Sequence, residues 1–337
     1  MTEALFYTKL SENRTNCLLC PHNCIVEEGK RGVCGVRINR EGILYSEVYG
    51  RPVSLNSDPV EKKPLYHFYP GHQVLSVGTL GCNLKCSFCQ NSGISQSSGE
   101  DQGFVVKRSL QEIILLALEK QKNIGLAYTY NEPVVFYEYM SDLATEVHRH
   151  GMKNIMVSNG FINPEPLSKL LPLIDAFNID LKSFEDDFYK KHTKSRIEPV
   201  LETIRTVSGS GKHLELTFLV IPGINDSLDV FDKMTDWILE VTGRKTPLHI
   251  SRYFPHYKIN LPPTPIKTLE GFYHHAKEKL DYVYLGNVPE SLGMDTYCPV
   301  CKSLLLKRNG YYTLKEGLDS NGSCTKCHEK VINFMTI

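Results

Sequence analysis

The stretch Gly78-Thr79-Leu80-Gly81-Cys82-Asn83-Leu84-Lys85-Cys86-Ser87-Phe88-Cys89-Gln90-Asn91 places three cysteines at C-x3-C-x2-C. The run before it, Gln73 to Val77, reads as a strand that ends at the glycines flanking Thr79 and Leu80. A loop leaving a strand can bend so that three thiolates face one point. Three thiolates on a [4Fe–4S] cluster leave one iron without a protein ligand. That open iron can chelate a small molecule through an amine and a carboxylate. An electron passed into the sulfonium of S-adenosylmethionine then breaks a carbon–sulfur bond and releases a 5'-deoxyadenosyl radical. A structural zinc site is the plainer reading, but zinc knuckles run C-x2–4-C in two pairs, and this spacing does not.

The chain has 337 residues and is 41% hydrophobic, enough for about two domains and a substantial core. Its formal net charge is zero, so no basic field invites duplex nucleic acid or an acidic membrane surface. No apolar run reaches transmembrane length, and Met1-Thr2-Glu3-Ala4 does not open a signal peptide. A cytoplasmic location is expected. Thiols stay reduced there, so eleven cysteines point to metal rather than disulfides. They fall into three groups with none left over: Cys17, Cys20, Cys24 and Cys34; Cys82, Cys86 and Cys89; Cys298, Cys301, Cys324 and Cys327.

Four segments are expected. Residues 1–50 form a small cysteine module in which zinc and an auxiliary iron–sulfur cluster both satisfy four thiolates. Residues 51–72 carry Pro59, Pro64 and Pro70 and read as an extended linker arm. Lys62, Lys63 and His67 on this arm are placed either to pack or to help close a site. Residues 73–290 alternate short β-rich runs with amphipathic helical stretches, which requires parallel strands and right-handed crossovers. The fold class is therefore α/β, and the strand count suits a closed or partial (β/α) barrel. Residues 291–337 hold two C-x2-C knuckles, Cys298/Cys301 and Cys324/Cys327, a strong zinc-ribbon signal. Rubredoxin-type iron is the alternative there.

In such barrels chemistry gathers at the C-terminal ends of strands. Strand side chains alternate faces. Asn178, Asp180 and Lys182 therefore share the inner face, and a buried charge there needs a partner. Asp180 and Lys182 can pair with each other or with a zwitterionic ligand. Glu132, in Asn131-Glu132-Pro133, follows another strand, where it can accept from an ammonium or simply cap a turn. Ser158-Asn159-Gly160 ends a third. His249 and Ser251 face inward on a sixth. Asn225 and Asp226 are expected to cap the next helix.

The wording around the cysteines, GTLGCNLKCSFCQNSGIS, resembles the radical S-adenosylmethionine enzymes. It is similar to their pyruvate formate-lyase activating enzyme-like branch, and more closely to the radical enzyme of the AmmeMemoRadiSam system. The resemblance spans essentially the whole chain, both flanking cysteine modules included. It implies a partial (β/α)6-type TIM barrel, with Cys82, Cys86 and Cys89 as both catalytic and cluster-binding residues. It implies cofactor contacts from Phe88, Asn131, Glu132, Asn159, Asp180, Lys182, Ile221, His249 and Asn287. The family usually has Gly-Gly-Glu where this chain has Asn131-Glu132-Pro133. The implied cofactors are a [4Fe–4S] cluster and S-adenosylmethionine. The implied partners are an electron donor such as flavodoxin or ferredoxin, and Memo-like and AMME-type proteins. Hydrogen abstraction from an unidentified substrate is expected. Glycyl-radical-enzyme activation and radical C–C coupling of a tyrosine-like aromatic with a nucleobase are alternatives. A zinc-binding adaptor is the non-enzyme alternative.

Overall fold

The structure is a computed structural model that describes residues 1–102, 105–289 and 293–335. The expected boundary at residues 290 and 291 lies outside the described residues. An eight-stranded sheet forms the centre. Seven strands run parallel in sequence order: Gln73–Gly78, Asn123–Tyr128, Lys153–Ser158, Ala176–Asp180, His213–Val220, Leu248–Arg252 and Val283–Gly286. In-order parallel pairing with intervening helices is a βα barrel wall, left open between its first and last strands.

The eighth strand, Ser54–Pro59, comes from the segment read as a linker arm. It pairs antiparallel with Gln73–Gly78 and lengthens the sheet at its edge. A proline at an edge costs no ladder bond, which is why Pro59 is compatible with a strand.

The crossover helices follow the expected periodicity. Leu110–Leu118 begins with a full capping box: the Ser109 hydroxyl accepts from Glu112 N–H, and the Glu112 carboxylate accepts from Ser109 N–H at 2.7 Å. Tyr137–Arg149, Glu198–Gly209, Leu228–Thr242 and Ile266–Lys279 fall where apolar residues recur at helical spacing. Pro164–Leu170 is a further helix, with Pro164 supplying the fixed φ of a first turn. Asn225 and Asp226 do not cap the helix after them. Asn225 instead accepts from Ile221 N–H and donates to the Lys182 and Leu219 carbonyls, while Asp226 accepts from Gly223 N–H. A short polar side chain in a turn bonds its own backbone as readily as it caps.

The base of the barrel is filled by the chain between Lys63 and Tyr69. The Glu215 carboxylate, fully buried, accepts from Tyr66 N–H, His67 N–H, His213 Nε2 and His249 Nε2 at 2.6–3.0 Å. Burial opposes the charge of Glu215, but the hydrogen bonds from His213 and His249 hold it well below the usual carboxylate range. The C-terminal module closes over this plug. Arg308 donates to the Tyr66 and Met294 carbonyls and to Thr296 Oγ1, and lies 4.1 Å from the Tyr66 ring centre.

The N-terminal module is three short strands, Tyr7–Lys9, Thr15–Cys17 and Ile25–Val26, beside a second small sheet. Glu138 anchors it to the barrel, accepting from Leu5 N–H and from the buried Arg37 guanidinium. Among the described residues no helix is long and apolar enough to cross a membrane.

Candidate functional site

The three-cysteine loop leaves the first parallel strand at Gly78 and must turn at once. Gly81 makes this possible: its φ is +87°, and a Cβ there would lie 2.7 Å from the Cys34 carbonyl. Only glycine tolerates both the backbone angle and the contact. The loop is then held on all sides. Asn131 donates to the Leu80 and Gly81 carbonyls and accepts from Thr79 N–H. Lys85 N–H and Ser87 N–H donate to the Thr193 and His192 carbonyls of the single π-helical turn Tyr189–Thr193. Lys258 N–H donates to the Ser87 carbonyl from the far side.

Held in this way, Cys82, Cys86 and Cys89 line one cavity of about 560 Å³. It lies at the C-terminal ends of the parallel strands, where barrel chemistry is found. Burial pushes Cys82 well above the usual thiol range and Cys86 up to about 12. Such thiols ionise when a metal compensates their charge, which suits them as ligands. Cys89 Sγ is 3.0 Å from Ser95 Oγ, so one sulfur already has a hydroxyl against it.

The strand ends supply the rest of the wall. Glu132 is 2% exposed. Its carboxylate accepts from Ser158 Oγ, from Asn159 N–H and from Val134 N–H at 2.8–3.1 Å. Burial raises its pKa to about 7 against those hydrogen bonds. Glu132 thus caps the short turn Pro133–Phe136 and still presents a carboxylate to the cavity. Asn159 braces the cysteine loop, donating to Asn83 Oδ1 at 2.9 Å. Asp180 and Lys182 form an ion pair at 2.7 Å. Burial opposes the Lys182 charge, but Asp180 and Cys86 outweigh it and hold the ammonium above its usual range.

Of the expected cofactor contacts, Phe88, Asn131, Glu132, Asn159, Asp180, Lys182 and Asn287 line the cavity with the three cysteines. Ile221 and His249 are not in its lining. Ile221 is buried where the following turn closes, and His249 is bonded to Glu215 at the barrel base. The inward face of a strand holds both the base and the mouth of a barrel, and alternation alone does not separate them. Lys62 and Lys63 reach the cavity, sharing Asp58 at 2.8 and 2.7 Å, whereas His67 turns to the Tyr284 hydroxyl. Ser95 and the π-helical turn leave no signal in the sequence. Their roles depend on long-range backbone contacts that leave no local pattern.

The C-terminal knuckles also converge. The Sγ atoms of Cys298, Cys301, Cys324 and Cys327 all lie within 4.8 Å of one another, an arrangement able to hold a metal ion.

The profile of the radical SAM superfamily matches residues 76–234, from the strand before the cysteine loop into the helix after Asp226. An uncharacterised protein of Methanocaldococcus jannaschii is 44% identical over 334 residues, covering 98% of this chain and 99% of its own. The (2S)-3-sulfopropanediol dehydratase activating enzyme of Klebsiella oxytoca is 23% identical over 36% of this chain and 38% of its own. A radical SAM methyltransferase from Sphaerobacter thermophilus shares the fold with a TM-score of 0.51 at 14% identity, over 65% of this chain and 67% of that one. A matching profile that includes the cysteine loop, set in a parallel barrel with that loop at its C-terminal mouth, identifies this chain as an enzyme of the radical SAM superfamily.

Proposed function

We propose that Cys82, Cys86 and Cys89 hold a [4Fe–4S] cluster and that Asn131, Glu132, Asn159, Asp180, Lys182, Phe88 and Asn287 position S-adenosylmethionine beside it. The observation that carries this reading is the convergence of three thiols, one carboxylate and one ion pair on a single cavity at the strand ends. The donor set fits the group: three thiolates leave one iron open, and the neighbouring charges match a zwitterion. When bound, the cluster supplies the electron that cleaves S-adenosylmethionine to methionine and a 5'-deoxyadenosyl radical, which takes a hydrogen atom from the substrate.

The chain's own residues do the positioning. Glu132, once ionised, offers its carboxylate to the methionine ammonium. Lys182 offers its ammonium to the methionine carboxylate while Asp180 keeps it charged. Phe88 and Asn287 line the same cavity and offer a ring and a carboxamide to the nucleoside.

The substrate is a hydrogen donor in a complex with Memo-like and AMME-type partner proteins, and the reductant is a flavodoxin or ferredoxin. Activation of a glycyl-radical enzyme is the second reading, favoured by the similarity to an activating enzyme. Radical coupling of a tyrosine-like aromatic with a nucleobase rests on the family resemblance alone. Zinc at Cys298, Cys301, Cys324 and Cys327 completes the chain: the Sγ pairs at 3.4 and 3.5 Å approach the roughly 3.8 Å that tetrahedral zinc–thiolate bonds impose.

The test is anaerobic reconstitution with iron and sulfide, then dithionite and S-adenosylmethionine, with 5'-deoxyadenosine as the readout. Wild type is expected to form it, and Cys86→Ala is expected not to. A wild type that forms none and carries zinc at the three-cysteine loop overturns the proposal.

A further inference from the structure

The N-terminal cysteines differ from the C-terminal ones in a way that bears on their metal. Among the described residues, the C-terminal quartet is the group whose ligand atoms all lie within 4.8 Å of one another. Cys17, Cys20, Cys24 and Cys34 instead stand around the wall of a cavity that Leu19, Val33 and Val134 also line. Zinc draws four sulfurs together at single-atom range. An iron–sulfur core is larger and holds its four cysteine sulfurs farther apart, with inorganic sulfide filling the middle. The same chain thus displays a tight quartet and a more open one, set around a small void of about 20 Å³.

The open quartet also has a position that a structural metal does not need. Asn83 lines its cavity and is the residue next to Cys82, which lines the other cavity. His22 Nε2–H, between Cys20 and Cys24, donates to the Asn83 carbonyl at 2.7 Å. The Cys34 carbonyl rests against Gly81 so closely that no side chain fits between. The backbone that carries Cys82 therefore touches the quartet at Gly81 and Asn83. Cys20 and Cys24 are only part buried, so the quartet can be reached from the surface. Arg37, 1% exposed, brings a guanidinium to 3.9 Å from Cys17 Sγ, a fixed positive charge beside an anionic thiolate core.

We propose that Cys17, Cys20, Cys24 and Cys34 hold a second iron–sulfur cluster that accepts single electrons from a reduced flavin or iron–sulfur carrier protein and delivers them to the three-cysteine site. This rests on the reading of Cys82, Cys86 and Cys89 as the site of S-adenosylmethionine cleavage. The electron count closes simply. The carrier is oxidised by one electron, and the quartet is reduced and then reoxidised by one. The carbon–sulfur bond of S-adenosylmethionine consumes that electron as it breaks. No bond forms or breaks at the quartet, and no proton moves there.

Two measurements test it on the full chain, reconstituted anaerobically. The first is acid-labile sulfide, zinc and the electron paramagnetic resonance of the reduced protein in a Cys82→Ala/Cys86→Ala/Cys89→Ala variant. Retention of about half the wild-type sulfide is expected, with a reduced-cluster signal that S-adenosylmethionine does not alter. A variant with no sulfide, and zinc in place of iron at the quartet, overturns the proposal. A wild type with no more sulfide than this variant sinks the three-cysteine reading instead, so the two failures are distinguishable. Sulfide also separates a cluster from rubredoxin-type iron at the C-terminal knuckles, which contains none.

The second measurement is deoxyadenosine formation by a Cys20→Ala/Cys24→Ala variant with two reductants. With reduced flavodoxin the rate is expected to fall at least severalfold, while dithionite, small enough to reach the inner site, restores most of it. Equal loss with both reductants, or loss with neither, overturns the electron route. If this variant does not fold, Arg37→Gln takes its place, with a shifted quartet potential as the expected readout and an unchanged potential as the contrary one.

Discussion

Asn131 donates to the Gly81 carbonyl at 2.8 Å and accepts from Thr79 N–H at 3.1 Å, so one carboxamide grips the cysteine loop on both sides of its turn. A loop with its own backbone groups pointing inward has few ways to satisfy them. Asn131→Ala removes several partners at once and leaves buried carbonyls unpaired. The expected cost is about 1–3 kcal/mol of local stability. Iron retained after gel filtration of the reconstituted protein should fall relative to wild type. Retention equal to wild type would show that the strap from the π-helical turn suffices without Asn131.

Glu132 tests the ligand assignment rather than the loop. Glu132→Gln keeps the shape and one acceptor but loses the charge. A charge-assisted hydrogen bond is about twice as strong as a neutral one. The expected loss of S-adenosylmethionine affinity is therefore on the order of ten- to a hundredfold, from about 1.5–3 kcal/mol. Equilibrium dialysis with the reconstituted protein measures it. Unchanged affinity with a lowered melting temperature would assign Glu132 to capping Pro133–Phe136 alone.

The ion pair of Asp180 and Lys182 makes a different demand. Lys182 is the more buried partner, so Asp180→Asn leaves an ammonium without compensation. Asp180→Asn should destabilise by about 1.5–3 kcal/mol, and a double variant with Lys182→Met should recover part of that. A double-mutant cycle by chemical denaturation reads the coupling. S-adenosylmethionine is expected to stabilise Asp180→Asn more than wild type, because its carboxylate restores a partner to Lys182.

Acid should unfold this protein from the base of the barrel. Burial pushes His67 down to about 3, and the histidine bonds hold Glu215 well below the carboxylate range. Both folded values are depressed, so between the unfolded and folded values the unfolded chain binds more protons. Stability is fully present above the ordinary histidine value of roughly 6.5 and is lost as pH falls below it. His67 acts first, and Glu215 adds its loss at more acid pH. His67→Gln should flatten the upper part of that decline, between roughly pH 6.5 and 4.5. Chemical denaturation at a series of pH values checks the slope, and an unchanged slope in the variant would place the acid sensitivity elsewhere.

The sequence made the barrel and its mouth legible because both obey short-range rules. The two-residue alternation of Asn178, Asp180 and Lys182 and the C-x3-C-x2-C run both lie within a few residues. Membership of the radical SAM superfamily follows from that last run and its neighbours. The base was not legible. His249 and Glu215 lie on strands whose alternation only says that they point inward. What decides their role is the chain near Tyr66, which brings two backbone N–H groups to Glu215 from about 150 residues away. The edge strand Ser54–Pro59 was hidden for a related reason. Prolines mark extended chain, and only the pairing partner distinguishes a strand from an arm.

The C-terminal quartet should matter to the barrel although it lies outside it. Arg308 stands on the strand Leu304–Asn309, which follows the first knuckle, and its guanidinium reaches the Tyr66 carbonyl at 3.0 Å. A metal that orders the knuckles thereby orders the residue that closes the plug. Chelation, or Cys301→Ser with Cys324→Ser, removes ligands from a small module with little core of its own, and such modules lose their fold without metal. The melting temperature of the whole chain should drop, not merely that of the tail. Arg308→Met should reproduce part of the drop with the metal still bound, since it cuts the link and spares the ligands. If chelation leaves the melting temperature unchanged while the metal is shown to be gone, the module and the barrel are energetically independent, and the hold of Arg308 on Tyr66 contributes little to the fold.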